Sequence, residues 1–225
     1  MNAIKKMTAF LLIPILVFLV TVRAGAAERE FWFIKHNGHS RPDIPEAANY
    51  ISNYNAYYAD ERLDENSEKK VIYLTFDAGY ENGNVERILD VLKEKNVPAA
   101  FFVLDNIIIK NTELVLRMSE EGHLVCNHTN RHRDLSYATK EEIERDLSAL
   151  EDIYRDKTGK ELSKYFRFPE GKFSKHALEC VNALGYKTIF WSFAYADWDN
   201  ARQPSEEFSK NKILSKKGYF YEKYT

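Results

Sequence analysis

The sequence predicts an α/β fold built on a parallel sheet. Three observations carry this reading. From residue 71 onward, five β-rich runs alternate with segments of helical periodicity. Three of those helical segments end at a glycine: Gly122, Gly159 and Gly185. Polar residues able to do chemistry follow the strands, at the end where parallel β/α sheets bind ligands. The chain has 225 residues, enough for one domain with a real core.

Residues 1–26 open with Lys5 and Lys6, run through an apolar stretch from Thr8 to Val22, and reach the small residues AGA at 24–26. That is the layout of a secretory signal peptide. The alternative is an uncleaved anchor, although the stretch is shorter than the ~20 residues of a spanning helix. Both readings place the remainder in the secreted or cell-envelope compartment, with membrane contact only through this segment. Residues 27–70 form a lead-in. HNGHSRPDIPEA, broken by Pro42 and Pro45, reads as extended or loop. Ile51, Tyr54 and Tyr57 follow at helical spacing and predict a short helix.

The remaining domain runs from 71 to 225. VIYLTFD (71–77) predicts a strand, and 84–96 a helix with Val85, Ile88, Leu89 and Leu92 on one face. AAFFVL (99–104) is a strand after Pro98. Residues 112–122 form a helix with Thr112 as N-cap. HLVCNH (123–128) is a strand. Thr139 and Glu142 make a capping box for a long helix over 139–159. KYFRFP (164–169) is a strand, 174–185 a helix, YKTIFWSF (186–193) a strand and 205–216 a weak final helix.

The chain holds 32 Lys and Arg against 34 Asp and Glu; the first 26 residues contain three basic and no acidic residues, so the remainder carries 29 against 34. That balance gives no reason to expect nucleic acid as a partner. Cys126 lies in an apolar strand and Cys180 in a helix. Both read as small buried hydrophobes rather than a disulfide pair.

Four strand ends carry candidate groups. Asp77 ends the first. His128 and His132 follow the third; four apart in a helical turn, they would share a face and reach one divalent ion. RFPEG (167–171) offers Arg167 to a carboxylate and a tight turn whose amides can face an oxyanion. Asp197 and Trp198 follow the fifth.

TFDAGY, NHTNRH, RFPEG and DW, in this order, resemble the polysaccharide deacetylase family of carbohydrate esterases, with its NodB homology domain. The likeness runs from about Val71 to about Asp199. YLTFDAGYENGNVERILDVLKEKNVPAAFF, the FWS…DW stretch and the YNAYY…EKKVIYLTFD lead-in resemble the delta-lactam-biosynthetic de-N-acetylases of spore formers. The resemblance implies a distorted (β/α) barrel and removal of the N-acetyl group from muramic acid in spore-cortex peptidoglycan, towards muramic δ-lactam. It implies Asp77 as general base, Arg167 as its orienting partner, and His128 and His132 as metal ligands. It implies the Glu170 backbone as an oxyanion contact within the turn closed by Gly171. Asp197 would tune a catalytic histidine, and Trp198 would line the acetyl pocket. Such a site hydrolyses an amide with an activated water, a stabilised oxyanion and a proton for the amine.

Two departures stand out. Ala78 replaces the second aspartate that binds metal in most of the family, as the delta-lactam branch often does. The implied ion, of the zinc, manganese or cobalt class, then has two imidazoles, with Asp77 or water completing a weak site. The family's closing Leu-x-x-His strand has no counterpart, and no histidine follows Trp198. The tail KNKILSKKGYFYEKYT reads as a truncation, or a frameshift near Lys216–Lys217. On that reading the closing strands are missing, a parallel edge is open, and the chain as written is poorly stable and nearly inactive. The leading expectation is a secreted peptidoglycan N-deacetylase acting on muramic acid. The alternatives are a deacetylase of GlcNAc or chitin-type glycan, or a truncated, inactive glycan-binding relative.

Overall fold

The computed structural model describes residues 28–37, 40–60, 62, 71–194 and 202–214. In chain order its strands are β1 (Glu30–Phe31), β2 (Lys35–Asn37), β3 (Ser40–Asp43), β4 (Ala56–Tyr57), β5 (Thr75–Ala78), β6 (Ala100–Val103), β7 (Leu124–Asn127), β8 (Ser163–Phe166), β9 (Lys172–Phe173) and β10 (Lys187–Ile189). Its α-helices are α1 (Asn84–Lys95), α2 (Asp105–Lys110), α3 (Thr112–Glu120), α4 (Lys140–Thr158), α5 (Lys175–Ala183) and α6 (Glu206–Leu214).

Six strands pair in the order β4-β10-β8-β7-β6-β5, every neighbour parallel. The α/β class read from the sequence is therefore right, with one strand more than expected. Two antiparallel pairs, β1 with β9 and β2 with β3, sit outside this sheet. One apolar layer packs Leu89, Ile107, Val115, Met118 and Leu150 against the sheet. A second gathers Trp32, Phe166, Phe168, Phe173, Leu178 and Phe190.

The sheet is strongly rolled. Arg167 follows β8, yet its guanidinium bonds to Thr75 and Asp77 on β5, with β7 and β6 in between. In a flat sheet those strands stand about 14 Å apart, three spacings of ~4.8 Å, beyond an arginine's reach. Curling brings the strand ends together. Among the described residues no ladder joins the outer strands β4 and β5, so no closed barrel forms. Of the tail KNKILSKKGYFYEKYT, residues 210–214 belong to helix α6; the remainder, with the reading of missing closing strands, lies outside the described set.

Several boundaries moved for physical reasons. The first strand is Thr75–Ala78 rather than 71–77. Its partner ladder begins at Ala100, just past Pro98, which has no N–H to extend pairing. Tyr73 and Leu74 are consequently exposed. Tyr57 is not helical: the helix is a 3₁₀ turn over Ile51–Tyr54, stopped by left-handed Asn55, and Tyr57 lies in β4 against β10. Helix α2 was not anticipated; its Ile107 and Ile108 are fully buried. Because α2 leads straight into α3, Thr112 is not an N-cap. It is the first residue of α3, and its hydroxyl donates to the Ile108 carbonyl four residues back, at 2.7 Å. The strands expected over 164–169 and 186–193 are shorter, Ser163–Phe166 and Lys187–Ile189.

Other expectations hold. The capping box is complete: the Glu142 N–H donates to Thr139 Oγ1 at 3.3 Å and the Thr139 N–H to Glu142 Oε2 at 3.0 Å. Gly159 closes α4 in the left-handed region. Cys126 and Cys180 are both buried and unpaired, and burial pushes the Cys126 thiol up to about 12.

Candidate active site

Asp77 and Thr75 are two apart on β5, so both side chains stand on one face of the sheet. That face receives Arg167, which is 3% exposed and uses each part of its fork. Nη1 donates to Asp77 Oδ1 at 2.8 Å, Nη2 to Thr75 Oγ1 at 2.9 Å, and Nε to the Ile189 carbonyl at 3.0 Å. The guanidinium lies 4.2 Å from the centre of the Phe102 ring. Arg167 thus ties β5, β8 and β10 into one rim and fixes the Asp77 carboxylate. Asp77 itself is 42% exposed, so its second oxygen remains accessible.

His128 follows β7 and is almost wholly buried. Its Nδ1 lies 2.8 Å from the Arg167 carbonyl, which can only accept, so Nδ1 carries the proton. Burial holds the ring's pKa below its ordinary value, with nearby Asp77 opposing. Nε2 is therefore a lone pair, and it faces Asp77 Oδ2 at 3.6 Å.

The premise of a helical turn for His128 and His132 does not hold. No helix spans them. Thr129 and His132 both have positive φ, 72° and 57°, and side chains replace helical hydrogen bonds. Asn127 Oδ1 accepts from the Thr129 N–H at 2.9 Å, and Thr129 Oγ1 from the Arg133 N–H at 3.2 Å. This reversed loop still brings the two imidazoles together, edge to face, with ring centres 5.1 Å apart. Asn127 is fully buried and anchors the loop, since its Nδ2 also donates to the Leu147 carbonyl and the Tyr186 hydroxyl, each at 3.1 Å. Burial, aided by hydrogen-bonded Glu151, keeps the Tyr186 phenol protonated.

These residues fit a divalent cation. Asp77 Oδ2 and His128 Nε2 face each other at 3.6 Å, and His132 stands beside them. Ala78 is buried and supplies no ligand atom. Among the described residues no set of three His, Cys, Asp or Glu side chains forms a ready metal cage. His128 and His132 would hold the ion, loosely.

The turn after β8 is a 3₁₀ turn over Pro169–Gly171, with Glu170 left-handed at φ 54°. Pro169 has no N–H. The Gly171 N–H donates to the Phe168 carbonyl and the Lys172 N–H to the Pro169 carbonyl. The Glu170 N–H takes no part in these two bonds. Gly171 itself is buried, and its carbonyl accepts from the Trp32 N–H at 2.8 Å. The position is closely packed: a Cβ there would lie 2.7 Å from Trp191 Cη2 and 2.8 Å from Trp32 Cβ. Gly171→Ala should lose about 3 kcal/mol of stability, from overpacking plus left-handed strain. Urea unfolding of the variant checks this.

Asp197 and Trp198 lie outside the described residues. Sequence reading missed Thr75, Asn127 and the Ile189 carbonyl. Thr75 was findable, because strand alternation puts it on the face of Asp77. Asn127 was signalled by a polar residue inside an apolar strand.

Two neutral histidines set a pH dependence. Burial lowers the pKa of His123, whose Nδ1 accepts from the Ala99 N–H at 3.2 Å, as it does that of His128. In the unfolded chain each ring takes a proton below about pH 6.5, but the folded rings resist it. Stability is present above that pH and is lost as pH falls through it towards the folded values. With chelator present, the thermal midpoint should drop between about pH 7.5 and about pH 5.5.

A family profile described as polysaccharide deacetylase matches residues 64–189. The chain is 37% identical over 205 residues to the peptidoglycan-N-acetylmuramic acid deacetylase PdaA of Bacillus subtilis (strain 168), covering 87% of this chain and 76% of that protein. The solved structure of Bacillus subtilis PdaA, a family 4 carbohydrate esterase, aligns with TM-score 0.77 at 35% identity, covering 84% of this chain and 80% of that one. A family 4 carbohydrate esterase from Bacillus anthracis aligns with TM-score 0.67 at 32% identity, covering 87% and 93%.

Proposed function

Since the chain belongs to the polysaccharide deacetylase family, hydrolases of N-acetyl amides, we propose that it is a peptidoglycan deacetylase acting on N-acetylmuramic acid. The observation that carries this is the 37% identity across 87% of the chain to a relative of that named specificity. Asp77, oriented by Arg167, takes the proton of the attacking water as its oxygen bonds to the acetyl carbon, and returns it to the amide nitrogen as the C–N bond breaks, so that acetate and a free amine leave. The Glu170 amide faces the oxygen that gains charge. His128 and His132 would hold a divalent ion of the zinc, manganese or cobalt class, which would supply Lewis acidity there.

The freed amine on muramic acid is the group that closes onto the lactyl carboxyl in muramic δ-lactam, so we place the enzyme on that route in the spore cortex. Ala78 supports this branch. The apolar segment Thr8–Val22 supports a location outside the cytoplasm, as signal peptide or anchor. Among the described residues no helix is long and apolar enough to cross a membrane, and residues 1–27 lie outside that set.

The test is positional. Peptidoglycan is treated with the full chain, digested to disaccharides, and each sugar weighed by tandem mass spectrometry. Loss of the acetyl mass should fall on muramic acid. Loss confined to glucosamine would replace this reading with that of a glucosamine deacetylase.

A further inference from the structure

One cation at the rim has no role in the hydrolysis just described. Arg131 sits between His128 and His132, and its side chain is 81% exposed. Its Nε donates to Asp105 Oδ2 at 3.1 Å, while its two Nη groups have no partner among the described residues. The Asp105 side chain is 14% exposed, and its N–H donates to the Asn130 carbonyl at 3.0 Å. Next to it, Asn106 Nδ2 donates to the Gly79 carbonyl at 3.1 Å, two residues beyond Asp77. The Asp105–Arg131 pair therefore bridges the strand end that bears Asp77 and the loop that bears the histidines. One edge of the guanidinium is held and the other presented.

A second arginine, Arg133, follows His132 and is paired with Glu142 at 3.0 Å. Arg131 is paired through Nε alone, so the other edge of its fork favours a ligand that brings negative charge with it. Muramic acid differs from glucosamine by a lactyl group on O3, and O3 is vicinal to the acetamido carbon. Whatever reads that carboxylate must stand at the reacting rim itself.

We infer that Arg131, steered by Asp105, reads the free lactyl carboxylate of muramic acid and selects it over uncharged glucosamine. This rests on the reading of the site as a muramic acid deacetylase. A planar fork suits a carboxylate. The partner edge stays solvated, so the effect is one of selectivity: about tenfold, the factor of a single modest charge-assisted contact.

The test compares a peptide-free GlcNAc–MurNAc tetrasaccharide with its lactyl methyl ester. The native chain should prefer the free acid by about tenfold in kcat/KM, the difference lying in KM. In Arg131→Gln the ratio should collapse towards one, and Arg131→Lys should fall between. A native enzyme that treats acid and ester alike overturns the inference without any variant, as does a preference that survives in Arg131→Gln. If the native chain releases acetate from neither, the deacetylase reading fails. Calorimetric Kd values for acid and ester, on native and variant chains, then judge Arg131 separately by the same ratio.

Discussion

Asp77→Asn should cut acetate release about a thousandfold, within the 10²–10⁴ range of a lost general base, while the protein stays folded. The amide oxygen of asparagine can still accept from Arg167 Nη1, as Asp77 Oδ1 does at 2.8 Å. Asp77 is partly exposed, so the cost in stability should stay near 1 kcal/mol. What disappears is the capacity to hold a proton. Steady-state kinetics beside a urea melt checks both halves. Loss of activity with parallel unfolding would mean that the carboxylate is structural.

Arg167→Met should do more damage to the fold. It removes the donor from Asp77 Oδ1, Thr75 Oγ1 and the Ile189 carbonyl at once. Breaking such a buried pair costs about 3 kcal/mol, discounted to the low end because Asp77 is partly solvated. Activity should fall at least about a hundredfold, since the base is no longer held in place. Arg167→Lys should rescue some stability but little activity, because an ammonium cannot span β5 and β10 as the fork does. Equal rescue of both would contradict the positioning role.

How much of this was legible from residues alone depended on how local each feature is. Helices α1, α4 and α5 follow from apolar periodicity and from caps contained within them, such as Thr139 with Glu142. The two-residue strand β4 could not be read, because nothing in Ala56–Tyr57 distinguishes it until β10 offers an edge. Helix α2 is too short for its period to register. Asp77, Arg167 and the histidine pair were visible as motifs after strands. Their contacts were not, because Arg167 meets Asp77 only in a rolled sheet and His132 returns only through left-handed Thr129. Sequence order cannot encode that curvature, which depends on packing across the sheet.

The central claim is that Asp77, Arg167 and the two histidines make a working deacetylase site, against the sequence-based expectation that a chain with no histidine after Trp198 is nearly inactive. The most direct measurement is acetate released from purified peptidoglycan by the full chain with added zinc, manganese or cobalt, counted against new free amines. The account predicts acetate and amine in equal amounts, suppressed by chelator and by Asp77→Asn. Glycan binding with no acetate under any of these metals would contradict it and leave a binding relative in its place.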